Sequence, residues 1–143
     1  ISAEQSGAAI NSEKSNIQID NSRFTDCQAS SGAAIYSQNS NLTLTKVEFL
    51  NNEAIVGGSN IFSIKTEYST FYAIYLFEIT SLGNSRNEFY FQNYDEINCS
   101  NGIFFRTKNI KKDSLAQAFY FLDIISVTLR DISIFGFRGL SSI

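Results

Sequence analysis

The sequence predicts an all-β protein whose single chain winds into a parallel β-helix, and two observations carry that prediction. Three separate blocks of sequence each recur after 25 residues, and inside each block apolar residues alternate with polar ones in short bursts. Alternation with a period of two is the pattern of a strand that buries one face. A repeat of about 25 residues is typical of a coil in which every turn stacks on the previous turn.

The first repeated block is predicted to form a corner of the coil. The segment 6–10, SGAAI, returns unchanged at 31–35, and a third copy, GGSNI, opens at residue 57. Gly7 and Gly32 suit a turn that needs a positive φ. The small alanines that follow each glycine fit a crowded corner that faces inwards.

The second and third blocks are predicted to supply the strands. NIQI at 16–19 returns as NLTL at 41–44, and FTDCQA at 24–29 returns as FLNNEA at 49–54. These apolar bursts are too short for helices, and the Ser, Asn, Asp and Gly residues between them tolerate turn geometry. We expect the repeated phenylalanines of the third block to stack inside the coil, where burying one ring contributes roughly 2 kcal/mol per turn.

The repeat is clear over residues 6–61 and degenerate over 62–143. We assign the whole chain, 1–143, to one β-helix domain of about five rungs. Two interruptions of the pattern, near 82–87 and 107–116, are predicted to be loops that project from the coil, which is where such folds often place function.

Two short motifs in these blocks resemble the repeats of polymorphic outer-membrane proteins, the Pmp family. The family signatures are Gly-Gly-Ala-Ile and Phe-x-x-Asn, and here they stand as SGAAI at 31–35 and FLNN at 49–52. The earlier copy of the second signature has Cys27 where the family has Asn. The resemblance implies a right-handed β-helix of the pectin-lyase-like class. It also implies an extracellular or surface-displayed repeat protein, often an adhesin or coat component.

Composition narrows the range of functions. The 143 residues include no His, Met, Trp or Pro, and the formal net charge is -3. The lack of His excludes imidazole catalysis and His-containing metal sites, and the charge does not favour nucleic acid or an anionic membrane. No run approaches the roughly 20 apolar residues of a membrane-spanning helix. Because the chain begins with Ile1 and lacks Met, we expect it to be a processed product or a fragment of a longer protein.

Aromatic residues crowd the degenerate half of the chain, in runs such as FYF at 89–91, FF at 104–105 and FYF at 119–121. We interpret these runs as ladders of rings that fill the coil. The alternative is a platform of exposed rings that binds a sugar or a protein partner.

The second predicted loop carries a basic patch. Its cationic residues are Arg106, Lys108, Lys111 and Lys112. We interpret the patch as a solvated loop, and the alternative is a contact with an acidic glycan or a neighbouring subunit.

The two cysteines and the two sequons are candidate modification sites. Cys27 and Cys99 are 72 residues apart, close to three repeats. At equivalent positions they would lie roughly 14 Å apart along the axis, which is too far for a disulfide, so we predict two free, buried thiols. Asn41 and Asn98 each open an N-glycosylation sequon, and both are expected at turns. The sequons matter only if this segment enters a eukaryotic secretory lumen.

Catalysis in the polysaccharide-cleaving enzymes that share this coil depends on clustered aspartates, sometimes with Ca²⁺. The aspartates here are scattered along the chain at Asp20, Asp26, Asp95, Asp113, Asp123 and Asp131. We therefore predict that the chain is not an enzyme and that it holds no cofactor and no metal.

These observations together predict a non-catalytic structural or adhesive segment of a cell-surface or assembly protein, located outside the cell or at its surface. The alternative is a β-helix that binds or processes carbohydrate. Because the ends of a coil expose unpaired strand edges, we expect a protein partner or a further β-helix to stack there. Glycans are a second candidate partner, whereas nucleic acid is not expected.

Overall fold

The computed structural model describes residues 6–83, 88–105 and 117–136, which form a parallel β-solenoid of about four turns. The predicted fold class is confirmed. The strands are β1 (Ile10–Glu13), β2 (Asn16–Thr25), β3 (Gln28–Ser31), β4 (Ile35–Gln38), β5 (Asn41–Leu50), β6 (Glu53–Gly57), β7 (Ile61–Ile64), β8 (Ala73–Leu82), β9 (Phe89–Gln92), β10 (Glu96–Phe105), β11 (Phe119–Leu122) and β12 (Ser126–Phe135).

These strands stack in three parallel sheets. The short-strand sheet contains the four-residue strands in the order β1-β4-β7-β9-β11, and the long-strand sheet contains the ten-residue strands in the order β2-β5-β8-β10-β12. The third sheet pairs β3 with β6. We number the stacked layers in chain order, so that layer 1 contains β1 to β3, layer 2 contains β4 to β6, and layers 3, 4 and 5 begin with β7, β9 and β11.

The register of the first two layers follows the sequence repeat. Ile17 pairs with Leu42, and Phe24 pairs with Phe49. The two phenylalanine rings stack with their centroids 5.4 Å apart and their planes 13° apart, as predicted. Gly32 has a φ of 58°, and the alanines after it are completely buried, so the predicted inward corner is confirmed in layer 2. In layer 1 the equivalent Ala9 is exposed.

Each long strand bends once, at a residue in the left-handed region of φ. The φ angles at these bends lie between 48° and 55°, at Asn21, Lys46, Glu78, Asn101 and Asp131. The bend allows the chain to keep apolar residues inside on both of its arms. In β5, for example, the residues buried before the bend are Leu42 and Leu44, and those after it are Val47 and Phe49.

The interior is mainly apolar, but it also holds two chains of hydrogen-bonded polar side chains. In one, the hydroxyl groups of Ser63 and Tyr94 share a hydrogen bond of 2.6 Å, and Tyr94 also donates to the backbone oxygen of Ser40. In the other, Asn60 donates to Ser81, which donates to the buried carboxylate of Glu88 at 2.6 Å. Buried polar groups that find partners in this way fix the positions of neighbouring layers.

The degenerate half of the sequence keeps the same register although its repeat length varies. The spacing between paired residues rises from 25 (Ile17 to Leu42) to 32 (Leu42 to Ile74), then falls to 23 (Ile74 to Ile97) and rises to 30 (Ile97 to Val127). Connections of unequal length between the strands therefore blur the period while the strands remain aligned.

Both predicted loops lie largely outside the described residues. The first loop was predicted to begin at Leu82, but Leu82 is the last residue of β8. Residues 84–87 and 106–116 are not among those described. None of the described residues belongs to a helix of the length and apolarity that a membrane crossing requires.

Candidate functional site

Alternation along the strands divides the aromatic side chains between the interior and the outer faces of the sheets. The completely or almost completely buried rings include Phe49, Phe89, Phe91, Tyr94, Phe104 and Phe119. The interpretation of the aromatic runs as interior ladders is confirmed for Phe89, Phe91, Phe104 and Phe119. Other rings lie outside. Tyr68 and Phe71 lie between β7 and β8, Phe105 and Phe135 form a tilted pair with centroids 6.4 Å apart, and two further arrangements differ in chemistry.

The first outer arrangement is a stack on the short-strand sheet, which we call the outer ladder: Tyr36, Phe62, Tyr90 and Tyr120. Successive ring centroids are 5.7, 4.4 and 4.9 Å apart, and the planes differ by only 4°, 5° and 10°. The rings therefore cover one another's faces and turn their edges to the solvent. A sugar ring stacks on the face of an aromatic ring. The inner rings of the outer ladder therefore have little free face for a sugar to bind.

The second outer arrangement is a pair of rings on the long-strand sheet, Tyr75 and Phe77, which we call the open pair. Each ring is 40% exposed, and they alternate with buried residues of β8, so both point outwards. Their register neighbours in layers 2 and 4 are small and uncharged: Thr43, Thr45, Asn98 and Ser100. Neither ring stacks on another aromatic ring within the described part of the chain. The faces of the open pair are therefore flanked by hydroxyl and amide groups.

The two sequons have different surroundings. Asn41 begins β5, where its Nδ2 donates to Oδ1 of Asn16 at 2.7 Å and its Oδ1 accepts from the backbone N–H of Ala73 at 2.8 Å. Asn98 lies inside β10 beside Tyr75, so the expectation that both sequons lie at turns is wrong for Asn98. Its amide makes no hydrogen bond to any described residue.

The predicted basic contact loop cannot be placed in this geometry. Arg106, Lys108, Lys111 and Lys112 all lie outside the described residues. Their role as a contact patch stays a prediction.

The described aspartates differ in their surroundings. Asp20 is exposed on β2 and accepts a hydrogen bond from Gln18, whereas Asp95 is paired with Lys65. Three further aspartates stand at bends with positive φ: Asp26, Asp123 and Asp131. Asp113 lies outside the described residues. In residues 6–83, 88–105 and 117–136, no three His, Cys, Asp or Glu side chains come together as a potential metal site.

Sequence reasoning missed a structured loop at the corner between β7 and β8. Residues 65–72, which we call the corner insertion, lie where layers 1 and 2 have only a tight bend. The buried Asn39 of layer 2 holds its start, because its Oδ1 accepts from the backbone N–H groups of Thr66 and Glu67 at 2.7 and 3.1 Å. The available signal was the increase of the repeat from 25 to 32 residues at this corner.

An ion pair holds the base of the corner insertion. Lys65 donates to Oδ2 of Asp95 at 2.5 Å, and the same oxygen accepts from the backbone N–H of Tyr72 at 2.8 Å. The Lys65 side chain is only 3% exposed. Burial alone would raise the pKa of Asp95, but the hydrogen bonds from Lys65 and Tyr72 outweigh burial and hold the pKa below 3.8.

The cysteines are free and buried, as predicted. They do not occupy equivalent positions: Cys27 lies at a corner and donates its N–H to the side chain of Asn52, whereas Cys99 lies in β10 opposite Leu76. Burial raises the pKa of both thiols, and that of Cys99 reaches about 12. Both are therefore protonated at neutral pH and act as small apolar residues.

The chain was also compared with known proteins. No known family matches the sequence, and no curated protein or solved structure shows significant similarity to it. Any functional conclusion therefore depends on the geometry of this coil and its outer faces.

Proposed function

We propose that this chain is a non-catalytic structural or adhesive segment of a cell-surface or assembly protein. The observation that supports it best is the continuous in-register pairing of five long strands, each ten residues in length. Every layer is hydrogen-bonded to the next along the whole axis, and rings and apolar side chains stack between layers. Such a coil is a stiff spacer that presents fixed side chains on its outer faces.

The Pmp-like identity of the repeats, their right-handed winding and an extracellular or cell-surface location belong to the same proposal. They are supported by SGAAI, which recurs in register at 31–35, and by the Phe-x-x-Asn motif at 49–52, whose phenylalanine pairs with Phe24 of the earlier copy. Use of the sequon at Asn41 would follow from passage through a secretory lumen.

The proposed partner at the coil ends is a protein or a further β-helix. Inward-facing residues of layer 1, such as Ile17 and Phe24, are only partly buried, whereas Leu42 and Phe49 above them are completely buried. In layer 5, Leu129 and other apolar residues that pack against the core are likewise only partly buried. A stacked partner would cover this apolar surface.

Location and adhesion are tested together. An antibody raised against the purified chain should label intact, unpermeabilised source cells, and the purified chain should bind to their surface. Labelling that requires permeabilisation, together with no binding to intact cells, would contradict the proposal.

A further inference from the structure

We infer that the open pair and its four register neighbours form a binding site for an uncharged, extended polysaccharide. This inference gives the proposed adhesive role a ligand, and in that respect it rests on the proposed function. It concerns Tyr75 and Phe77 with the flanking residues Thr43, Thr45, Asn98 and Ser100.

The first argument is the accessibility of the ring faces. In the outer ladder, Phe62 is stacked between Tyr36 and Tyr90, so both of its faces are used inside the protein. The rings of the open pair have a threonine on one side and Asn98 or Ser100 on the other. An aromatic side chain that is 40% exposed without an aromatic neighbour keeps apolar surface available for the C–H face of a sugar.

The second argument is the spacing of the two rings on one face of the sheet. Tyr75 and Phe77 are two residues apart on one strand, which places their Cα atoms about 6.6 Å apart on the same face. The flanking strands lie about 4.8 Å away on either side. Two rings on one face of the same strand suit neighbouring sugars of one extended chain.

The third argument is hydrogen bonding and charge. Thr43, Thr45 and Ser100 provide hydroxyl groups, and the amide of Asn98 makes no hydrogen bond to a described residue. Charged residues occupy only the ends of one of the two columns, at Asp20 in layer 1 and Arg130 in layer 5. An uncharged ligand with many hydroxyl groups complements the middle of the two columns, which offers a polyanion no cation to pair with.

The size of the patch also favours a polysaccharide over a protein. A stable protein interface takes about 20–30 residues from each partner. The patch has six residues, and charged Glu78 and Lys46 stand at the adjacent bends of their strands. A few rings with surrounding polar groups are typical of a small-molecule or oligosaccharide subsite.

The test uses the full chain produced in bacteria, so that Asn98 carries no glycan. Calorimetric titration with three uncharged β-linked probes, cellopentaose, xylopentaose and chitopentaose, should show binding by at least one of them. Tyr75→Ala and Phe77→Ala should each weaken that binding about tenfold, as expected for the loss of one ring contact. Pentagalacturonate, the charged comparison, should bind more weakly than the best neutral probe.

The control is Tyr120→Ala, which removes a ring from the outer ladder and should leave probe binding unchanged. Thr43→Glu is a second test that keeps both rings, because it places a charge beside Tyr75 and should also weaken binding. Far-ultraviolet circular dichroism verifies that each variant is folded.

Failure to bind any neutral probe, or equal binding by wild type, Tyr75→Ala and Phe77→Ala, would overturn the inference. If the wild-type chain still binds intact source cells in that case, the adhesive proposal survives and only its ligand is wrong. If the wild-type chain binds a neutral probe but does not bind intact source cells, only the adhesive proposal is contradicted.

Discussion

At the scale of single residues, backbone conformation at the corners determines which substitutions the coil tolerates. Gly7, Gly32 and Gly58 have φ angles of 64°, 58° and 62° in three successive layers. Asparagine, aspartate, lysine and glutamate occupy the left-handed positions of the other bends at a higher conformational cost than glycine. Corner glycines are therefore harder to replace than the residues at the other bends.

Gly32→Ala should destabilise the chain by at least about 2 kcal/mol. An added Cβ would lie 2.4 Å from the backbone oxygen of Ile35, in addition to the strain of a positive φ. Urea unfolding followed by circular dichroism measures the effect. Gly57→Ala is the control, because a Cβ there meets only Tyr90 at 3.9 Å, and its stability should stay within about 0.5 kcal/mol of wild type. Equal losses in the two variants would contradict the explanation.

Cys99 should make stability depend on alkaline pH. Its thiol is completely buried, and burial raises its pKa from 9.0 to about 12. The unfolded chain therefore loses the thiol proton first, so the free energy of unfolding should decrease as pH rises above 9, by up to about 1.4 kcal/mol per pH unit.

Urea unfolding between pH 8 and pH 10.5 measures this slope, and Cys99→Ala should reduce it. Tyr94, whose pKa burial also raises, contributes in the same direction above pH 10 and should remain in the variant. An unchanged slope in Cys99→Ala would exclude the thiol as the cause.

At the scale of elements, the corner insertion shows how a loop is held on a repetitive coil. Asn39 binds its start from layer 2, and Asp95 binds its base from layer 4. The insertion is thereby attached to layers 2 and 4, and the ion pair between Glu67 and Lys14 adds a contact with layer 1. At its tip, Tyr68 and Phe71 remain 77% and 61% exposed.

Asp95→Asn should destabilise the chain by about 2–3 kcal/mol, because it leaves the buried ammonium of Lys65 without its counter-charge. The depressed pKa of Asp95 means that its stabilisation is present above pH 3.8 and is lost as pH falls below that value, since the carboxylate must then be protonated. Chemical unfolding at pH 7 and pH 3 measures both effects.

Glu67→Gln is the matched control for this variant. It removes the ion pair between Lys14 and Glu67, whose side chains are 59% and 37% exposed, and should change stability by less than about 0.5 kcal/mol. A larger loss in Glu67→Gln than in Asp95→Asn would show that the exposed pair, and not the buried pair, holds the loop.

The sequence alone predicted the contacts between equivalent residues of consecutive repeats. Phe24 and Phe49 occupy the same place in consecutive repeats, so their stacking followed from the period. The binding of Asn39 to Thr66 joins residues with no repeat relation, and no pattern in the sequence indicates it. The difference between the open faces of Tyr75 and the covered faces of Tyr90 depends on the residues one layer away, which the broken period conceals.

At the scale of the whole molecule, stability should vary along the axis. Among the described residues, long strands β5, β8 and β10 are paired on both sides, whereas β2 and β12 are paired on one side only in the long-strand sheet. In a solenoid each layer is stabilised by its immediate neighbours, so the inner layers open least often.

Hydrogen exchange of the isolated chain tests this gradient. Backbone amides of β5 and β8 should exchange slowest, and those of β2 and β12 fastest. Leu129→Ala in layer 5 should accelerate exchange in β10 more than in β5, because its effect decreases with each layer. Uniform exchange in all five long strands would indicate a single cooperative unit and contradict the gradient.

The corner insertion also has a consequence for engineering. Extra residues enter between β7 and β8, yet the strands on either side keep their alignment with the layers above and below. The number of residues at a corner can thus change without shifting the register of the strands in the sheets. A foreign epitope grafted in place of residues 68–71 would be held at both stems by Asn39 and Asp95, which would make this coil a carrier for displayed peptides.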